Sequence, residues 1–267
     1  MIHILLISPT VNDYLKYHVR LVQISDIHIG GFFRQNIFDL VVKEVNEIDP
    51  DAIVITGDLT DDGLLVQFEH AKDQIARFSC ENKIILAGNH DYRHTGYLIF
   101  KKLFPSRLIY EFDDAVILTL GTARPDRDEG EVGYRQNQWL EKSMKKYINK
   151  VKIVAMHHHL IGIPDTGTDK IIILDAGDTL RACLQSKVDL VLCGHKHRPW
   201  LWKLGSLNIA YAGTASSSRF RGYFENAYNI ITVRQGIAEM EIKIVGGNRM
   251  QLVHLVDNYR PFLEGET

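Results

Sequence analysis

The sequence has few cysteines, no long hydrophobic run and no excess of charge of one sign. Cys80, Cys183 and Cys193 are too few and too scattered for a disulfide framework, which indicates a reducing, cytoplasmic compartment. The apolar start at 1–11 is too short to cross a membrane, and it lacks the basic region and cleavage site of a secretory signal. The formal net charge of −2 argues against a dedicated nucleic-acid binder. We therefore expect no membrane partner and disfavour nucleic acid.

The composition is that of an ordinary globular protein, with 45% hydrophobic and 24% charged residues. A length of 267 residues allows one large domain, with or without a small appendage. We predict an N-terminal extension at 1–18, which could add a strand, a main domain at 19–246 and a C-terminal tail at 247–267. A homodimer is left open.

Five short apolar runs, each followed closely by a polar residue, predict buried strands. They lie at Arg20–Ser25, Ala52–Thr56, Lys83–Ala87, Lys152–Met156 and Leu190–Cys193. Amphipathic patterns with helical spacing lie between them, from Ile37 to Ile48, Phe68 to Phe78, Trp139 to Ile148 and Leu180 to Leu184. This alternation predicts an α/β fold with βαβ units and a largely parallel sheet.

The last third of the chain has a different pattern. Strand-like runs at Leu207–Tyr211, Tyr228–Val233 and Ala238–Val245 are separated by turns, which predicts an antiparallel meander. Together with the βαβ units, this indicates two sheets packed face to face, with helices outside.

Polar motifs follow the predicted strands at the ends where α/β sheets bind ligands. Asp26 and His28 are two residues apart, so in an extended chain both point to the same face and can chelate one ion. Asp58 follows Gly57 and has two carboxylate oxygens, so it can bridge two ions, whereas Asp61 is assigned a supporting role. Alone, these motifs also fit a capping aspartate beside a surface histidine.

The third motif, at 88–91, reads Gly-Asn-His-Asp. Asn89 offers a neutral oxygen ligand, and His90 points elsewhere. Asp91 is predicted to orient His90, because a carboxylate partner fixes the tautomer of an imidazole. A polar turn is the alternative interpretation of this motif.

Histidines dominate the last two motifs. Among the three consecutive histidines at 157–159, His157 is the favoured ligand because it lies closest to the strand. His195 and His197 follow Gly194 with the same-face spacing of the first motif. Any one of these histidines fits a buried structural role, but five such motifs in this order indicate a metal site.

The order D-x-H, G-D-x-x-D, G-N-H-D, H-H and G-H-x-H resembles the signature of calcineurin-like metallophosphoesterases, over roughly 19–228. The resemblance implies a four-layer αββα sandwich with two divalent metal ions. It implies one site from Asp26, His28, Asp58 and His197, and a second from Asp58, Asn89, His157 and His195. The stretches 213–218 and 175–178 resemble the branch of bacterial and archaeal cyclic-nucleotide (class III) phosphodiesterases.

The expected activity is hydrolysis of a small phosphodiester, preferably a 3',5'-cyclic nucleotide, by metal-bound hydroxide with His90 as general acid. Oxygen and nitrogen ligands without thiolate favour Mn²⁺ or an Fe/Mn pair and leave Zn²⁺ open. Loops at 122–134 and 216–223 are predicted to form the rim that recognises the substrate. A nuclease, a phosphomonoesterase and a non-catalytic metal-binding scaffold are the alternatives.

Overall fold

Two six-stranded sheets form the centre of the part of the protein that the computed structural model describes, residues 18–104, 108–167, 172–221 and 224–253. The first sheet has the order β12-β11-β10-β1-β2-β3 and the second has the order β4-β5-β6-β7-β9-β8. In the first sheet the strands are β1 (Val19–Ile24), β2 (Ala52–Ile55), β3 (Lys83–Ile85), β10 (Ala227–Arg234), β11 (Ile237–Ile244) and β12 (Arg249–Gln251). In the second they are β4 (Ile109–Glu111), β5 (Ala115–Thr119), β6 (Val151–Ala155), β7 (Leu190–Cys193), β8 (Trp200–Leu204) and β9 (Leu207–Tyr211).

Each sheet has a parallel part that carries the predicted motifs. Strand β1 is parallel to β2, and β2 is parallel to β3. In the second sheet β5, β6, β7 and β9 run parallel, while β4 and β8 add antiparallel edges. The parallel strands β2, β6 and β7 are buried along their whole length, which explains their unbroken apolar sequences.

Helices cover the outer face of each sheet. Three of them, α1 (Gln35–Ile48), α2 (Leu65–Ala76) and α3 (Gly96–Leu103), supply apolar side chains to a cluster with the first sheet. The other two, α4 (Tyr134–Met144) and α5 (Ala176–Gln185), pack on the second sheet. The third apolar cluster lies between the sheets and includes Leu21, Val54, Ile117 and Ile153. The layers are therefore helix, sheet, sheet, helix, as the resemblance implied.

A buried hydrogen-bond network also joins the two sheets. Gln23 of the first sheet donates through Nε2 to the Cys193 carbonyl oxygen of the second, at 2.9 Å. Asn229 donates through Nδ2 to Gln23 Oε1 at 2.9 Å and to the Tyr211 carbonyl oxygen at 3.3 Å. Since unpaired polar groups are costly in a core, this network favours one alignment of the sheets.

Several predictions about the elements need correction. Leu207–Tyr211 does not belong to the C-terminal meander: as β9 it pairs with β7 in parallel, and only β10, β11 and β12 form the meander. Strands β4 and β8 were not predicted. Ile148 lies beyond the end of α4 and is 83% exposed, because that helix ends at Met144.

The predicted extension at 1–18 lies almost wholly outside the described residues, so its extra strand remains a prediction. At the other end, β12 lies in the predicted tail and continues the first sheet. None of the helices in the described ranges has the length and apolar character that crossing a bilayer requires.

Candidate metal centre

The polar motifs converge where strands of both sheets end. Backbone hydrogen bonds hold the segment after β1 beside the segment after β2, with Asp26 N donating to Gly57 O and His28 N to Asp58 O, both at 3.0 Å. The turn after β7 is held by a donation from His195 N to Asp26 Oδ2 at 3.0 Å. The carboxylate of Asp26 therefore holds the ligands that follow β7 of the second sheet beside those that follow β1 of the first.

Most of the predicted ligands lie in left-handed backbone conformations. The angle φ is between 51° and 73° at Asp26, His28, Asp58, His195 and His197. Such conformations are uncommon for residues other than glycine and cluster at functional sites. The same-face pairing of Asp26 with His28 therefore arises from a turn, and the expectation of an extended chain was wrong at this point.

The first group of converging atoms belongs to Asp26, His28, Asp58 and His197. His28 Nε2 lies 2.9 Å from His197 Nε2, 3.7 Å from Asp58 Oδ2 and 4.0 Å from Asp26 Oδ1. His197 Nε2 lies 3.3 Å from Asp26 Oδ1. These four side chains are all buried.

Hydrogen bonds at Nδ1 of His28 and of His197 show which protons these two rings carry. His28 Nδ1 lies 2.9 Å from Asp61 Oδ1, and His197 Nδ1 lies 2.5 Å from the Arg219 carbonyl oxygen. Both partners only accept, so each Nδ1 carries a proton and each Nε2 is the nitrogen left to bind a metal. Two such nitrogens that face each other at 2.9 Å need a shared positive charge, which a proton or a metal ion can supply. Asp26 Oδ1, which receives no hydrogen bond from the described residues, adds negative charge at the same place.

The second group consists of Asp58, Asn89, His157 and His195. His157 Nε2 lies 3.1 Å from Asn89 Oδ1, 3.1 Å from His195 Nδ1 and 3.4 Å from Asp58 Oδ2. His195 Nδ1 lies 3.0 Å from Asn89 Oδ1. His157 Nδ1 donates to the Thr56 carbonyl oxygen at 2.7 Å, which directs its Nε2 lone pair into the group.

Asp58 Oδ2 is common to both groups, and its electrostatics show the attraction for cations. Burial by itself would lower the pKa of His157, but the carboxylates of Asp58 and Asp26 outweigh burial and raise that pKa to about 9. Burial would raise the pKa of Asp58, but His157 and His90 outweigh it and hold that pKa well below its usual range. Oxygen and imidazole donors that converge around buried negative charge fit two divalent ions that share one carboxylate.

His90 lies beside this centre, with its ring centroid 4.7 Å from that of His28. Its Nδ1 donates to the Asp61 carbonyl oxygen at 2.7 Å, and its Nε2 lies 3.3 Å from Nη2 of Arg93. Its backbone N–H donates to Asp58 Oδ1 at 2.9 Å. The backbone of Asp61 therefore fixes the tautomer of His90.

The predicted contact of Asp91 with the His90 ring was wrong. Its carboxylate instead accepts hydrogen bonds from the backbone N–H groups of Leu59, Thr60 and Gly88, at 2.9–3.1 Å, and from the Thr60 hydroxyl. Asp91 faces these donors because His90 and Asp91 begin a 3₁₀ turn, in which adjacent side chains diverge. It thus holds the turn after β2 against the turn after β3.

The other two consecutive histidines are buried beside the ligands. The ring of His159 stacks on that of His195, with centroids 5.5 Å apart. The ring of His158 lies close to those of His157 and His195, with centroids 4.9 Å and 4.5 Å away, but its nitrogens are engaged elsewhere: Nδ1 lies 2.8 Å from Thr122 Oγ1, and Nε2 donates to the Asp128 carbonyl oxygen at 3.1 Å. Since both ring nitrogens of His158 have partners, it serves the loop after β5.

Two further residues of the site were missed from the sequence. Asp128 Oδ1 accepts a hydrogen bond from Asn89 Nδ2 at 3.1 Å, and Arg93 donates through Nη1 to the Asp61 carbonyl oxygen at 2.8 Å. Neither residue belongs to a metal motif. The position of Arg93, three residues after His90, was the only available signal for it, whereas Asp128 comes close only through folding.

A family model for calcineurin-like phosphoesterases matches residues 19–199. The chain belongs to the calcineurin-like phosphoesterase family. This membership makes it a metal-dependent hydrolase of phosphoric esters, and it confirms the predicted family.

Curated relatives agree with this assignment, and a solved structure shares the fold. The 3',5'-cyclic adenosine monophosphate phosphodiesterase CpdA of Escherichia coli K12 is 27% identical over 194 residues, which cover 67% of this chain and 70% of CpdA. A probable cyclic nucleotide phosphodiesterase of Synechococcus is 26% identical over 191 residues, covering 68% and 74%. A dimetal phosphatase from Danio rerio superposes with a TM-score of 0.68 at 12% identity, covering 88% of this chain and 98% of that chain. The superposition confirms the predicted sandwich fold.

Proposed function

We propose that this phosphoesterase hydrolyses small phosphodiesters, and 3',5'-cyclic nucleotides in particular, at a centre of two divalent metal ions. The observation that carries the two-metal proposal is the position of Asp58 Oδ2, 3.7 Å from His28 Nε2 and 3.4 Å from His157 Nε2. One carboxylate oxygen shared by two converging donor groups is the arrangement of a bridging ligand. The names of the curated relatives support the cyclic-nucleotide substrate.

Seven residues would hold the ions. The first would take Asp26, His28, Asp58 and His197, and the second would take Asp58, Asn89, His157 and His195. When bound, two such ions lower the pKa of water and stabilise the negative charge that develops on a phosphoryl group. The donors favour Mn²⁺ or an Fe/Mn pair, with Zn²⁺ as the alternative, because thiolates are absent from these seven residues. Two carboxylates offset only part of the +4 charge, so the centre attracts an anionic ester.

His90 would supply the proton for the leaving oxygen. Its Nδ1 proton is engaged by the Asp61 carbonyl oxygen at 2.7 Å, so Nε2 is the atom that can donate to substrate. Nη2 of Arg93 lies 3.3 Å from that nitrogen and can only donate to it, so this contact must give way when Nε2 carries the proton. A leaving oxygen bonded to His90 Nε2 would therefore also lie close to a guanidinium.

The preference for a small diester rests on the two rim loops. The loop after β5 contacts the centre through Asp128, and Arg219 follows β9 with its guanidinium 4.9 Å from the centroid of the Phe32 ring. Phe32 is 44% exposed, and its backbone N–H donates to Asp61 Oδ2 at 3.2 Å. The predicted rim continues to Tyr223, but residues 222–223 lie outside the described ranges.

A hydrolysis panel with purified protein tests the proposal. Cyclic AMP, bis-nitrophenyl phosphate, nitrophenyl phosphate and single-stranded DNA are compared after reconstitution with Mn²⁺, Fe or Zn²⁺. We expect kcat/KM for cyclic AMP to exceed that for DNA per site. Faster cleavage of DNA would indicate a nuclease, and hydrolysis of the monoester alone would indicate a phosphomonoesterase. Tight metal binding without turnover of any ester would indicate a non-catalytic scaffold.

A further inference from the structure

Asp128 touches the candidate metal centre from a loop that carries no ligand. It lies between β5 and α4, and its side chain is 63% exposed. Its Oδ1 nevertheless accepts a hydrogen bond from Nδ2 of the buried Asn89 at 3.1 Å. We propose that Asp128 is a positioning residue, which fixes the amide of Asn89 so that its oxygen faces the second metal position. This inference rests on the two-metal centre of the proposed function.

The orientation follows from hydrogen-bond chemistry. An ionised carboxylate only accepts, so the end of the Asn89 amide that faces Asp128 must be the NH₂ group. The opposite end, Oδ1, then lies 3.1 Å from His157 Nε2 and 3.0 Å from His195 Nδ1. If the amide rotated by half a turn, its N–H groups would face the ring nitrogens of His157 and His195, and Asn89 would offer no lone pair to a metal. Asp128 therefore selects the orientation that can bind.

The loop that carries Asp128 is held from several directions. His158 donates to the Asp128 carbonyl oxygen at 3.1 Å, and Leu174 N donates to the Gly130 carbonyl oxygen at 2.8 Å. Gly130 packs so closely on His158 that an added Cβ would lie 2.6 Å from its ring. Because His158 directly follows the ligand His157, these contacts fix the carboxylate relative to the second group of ligands.

The effect should be confined to one metal. The hydrogen bond of Asp128 goes to Asn89, and its other charged contact is with Arg93, where Nη2 lies 3.8 Å from Oδ1. Neither residue belongs to the first group, which consists of Asp26, His28, Asp58 and His197. Loss of a group that orients a metal ligand typically costs about 10–100-fold in metal affinity. Asp128→Ala should therefore weaken one class of metal site by about that factor and leave the other unchanged.

Titration of the metal-free full-length protein with Mn²⁺, followed by the electron paramagnetic resonance signal of free Mn²⁺, measures both classes. Asn89→Ala identifies the affected class. Asp128→Asn keeps an acceptor for Asn89 Nδ2 and should stay close to wild type. Glu129→Gln is the matched control, because Glu129 lies in the same loop and pairs with Arg124 at 3.4 Å.

The double variant tests whether Asp128 acts through Asn89. In an Asn89→Ala background, Asp128→Ala should cause no further loss of affinity, because the group that it orients is gone. An unchanged Mn²⁺ affinity in Asp128→Ala would overturn the inference. So would equal weakening of both classes with a lower melting temperature of the metal-free protein, which would show a purely structural role.

Failure of this inference is distinguishable from failure of the proposed function, because the titration contains no substrate. A protein that binds two Mn²⁺ ions with the predicted dependence on Asp128, yet hydrolyses no diester, keeps the inference and loses the function. A protein that hydrolyses cyclic AMP while Asp128→Ala binds Mn²⁺ like wild type keeps the function and loses the inference.

Discussion

Replacement of His90 by alanine should remove the proton donor and leave the ligands of the proposed centre in place. His90 contributes no side-chain atom to either group of converging donors. The hydrogen bond from its backbone N–H to Asp58 Oδ1, at 2.9 Å, does not depend on the imidazole. The Asp61 carbonyl oxygen loses the His90 ring but keeps the 2.8 Å hydrogen bond from Arg93 Nη1. The substitution therefore leaves no buried acceptor unsatisfied among these contacts, and we expect both metals to stay bound.

The magnitude depends on the leaving group. General acid catalysis typically contributes about 10²–10⁴-fold, which corresponds to about 2.7–5.4 kcal/mol in activation free energy. The full loss is expected for a cyclic nucleotide, because the departing ribose oxygen is a basic alkoxide. Nitrophenolate scarcely needs a proton, so the loss for bis-nitrophenyl phosphate should be less than about tenfold.

The assay compares kcat of wild type and His90→Ala for both substrates at equal metal content, measured by elemental analysis. His94→Ala is the matched control, because His94 is an exposed histidine four residues away. Equal losses for good and poor leaving groups would refute the proton-donor role and indicate that His90 binds or positions the substrate. Loss of metal from His90→Ala would refute the structural part of the reasoning.

Three other predictions test the centre and its surroundings. Chelation should abolish activity. In elemental analysis Asp58→Asn should lower the occupancy of both metal ions, whereas Asn89→Ala should lower the occupancy of one. If Asp58→Asn loses a single ion, Asp58 does not bridge the two. Gly88→Ala should lower kcat/KM by at least about tenfold, because a Cβ there would lie 2.1 Å from Asp58 Oδ1. The control Gly31→Ala should be neutral, because its Cβ would meet no atom within 4 Å. Equal activities of the two variants would contradict the close contact between Gly88 and Asp58. All three cysteines are buried and free, and burial raises the pKa of Cys183 to about 12, so a thiol reagent should label none in the native protein and three after denaturation; rapid native labelling would show that a thiol is accessible.

The strands that precede the motifs could be predicted because a strand that is buried on both faces has an unbroken run of apolar residues. A short, unbroken apolar run such as Ala52–Ile55 is typical of a strand that is buried on both faces. The sequence pattern does not show which strands pair with each other. Strands β9 and β10 are both mostly apolar and mostly buried, and only the pairing of β9 with β7 shows that β9 belongs to the second sheet.

Local spacing also failed where the backbone leaves the strand. The turns at Asp26, Asp58 and His195 are left-handed, and their φ values depend on hydrogen bonds to segments far away in the chain. Asp91 was assigned to its neighbour His90, but the side chain reaches donors more than thirty residues earlier, at Leu59 and Thr60. Proximity in sequence is a weak guide to side-chain partners when a chain turns sharply.

The sequence by itself determined which residues supply the metal ligands, because carboxylate, amide and imidazole groups that follow apolar strands can be recognised without a structure. It also determined the order of the motifs and, with them, the family. Only the tertiary structure decided which Asp58 oxygen the two groups share, which ring nitrogens face one another, and that Arg93 and Asp128 complete the site. The physical reason is that a ligand's orientation depends on the partner of its far end, and that partner comes from another loop, brought close by the packing of two sheets.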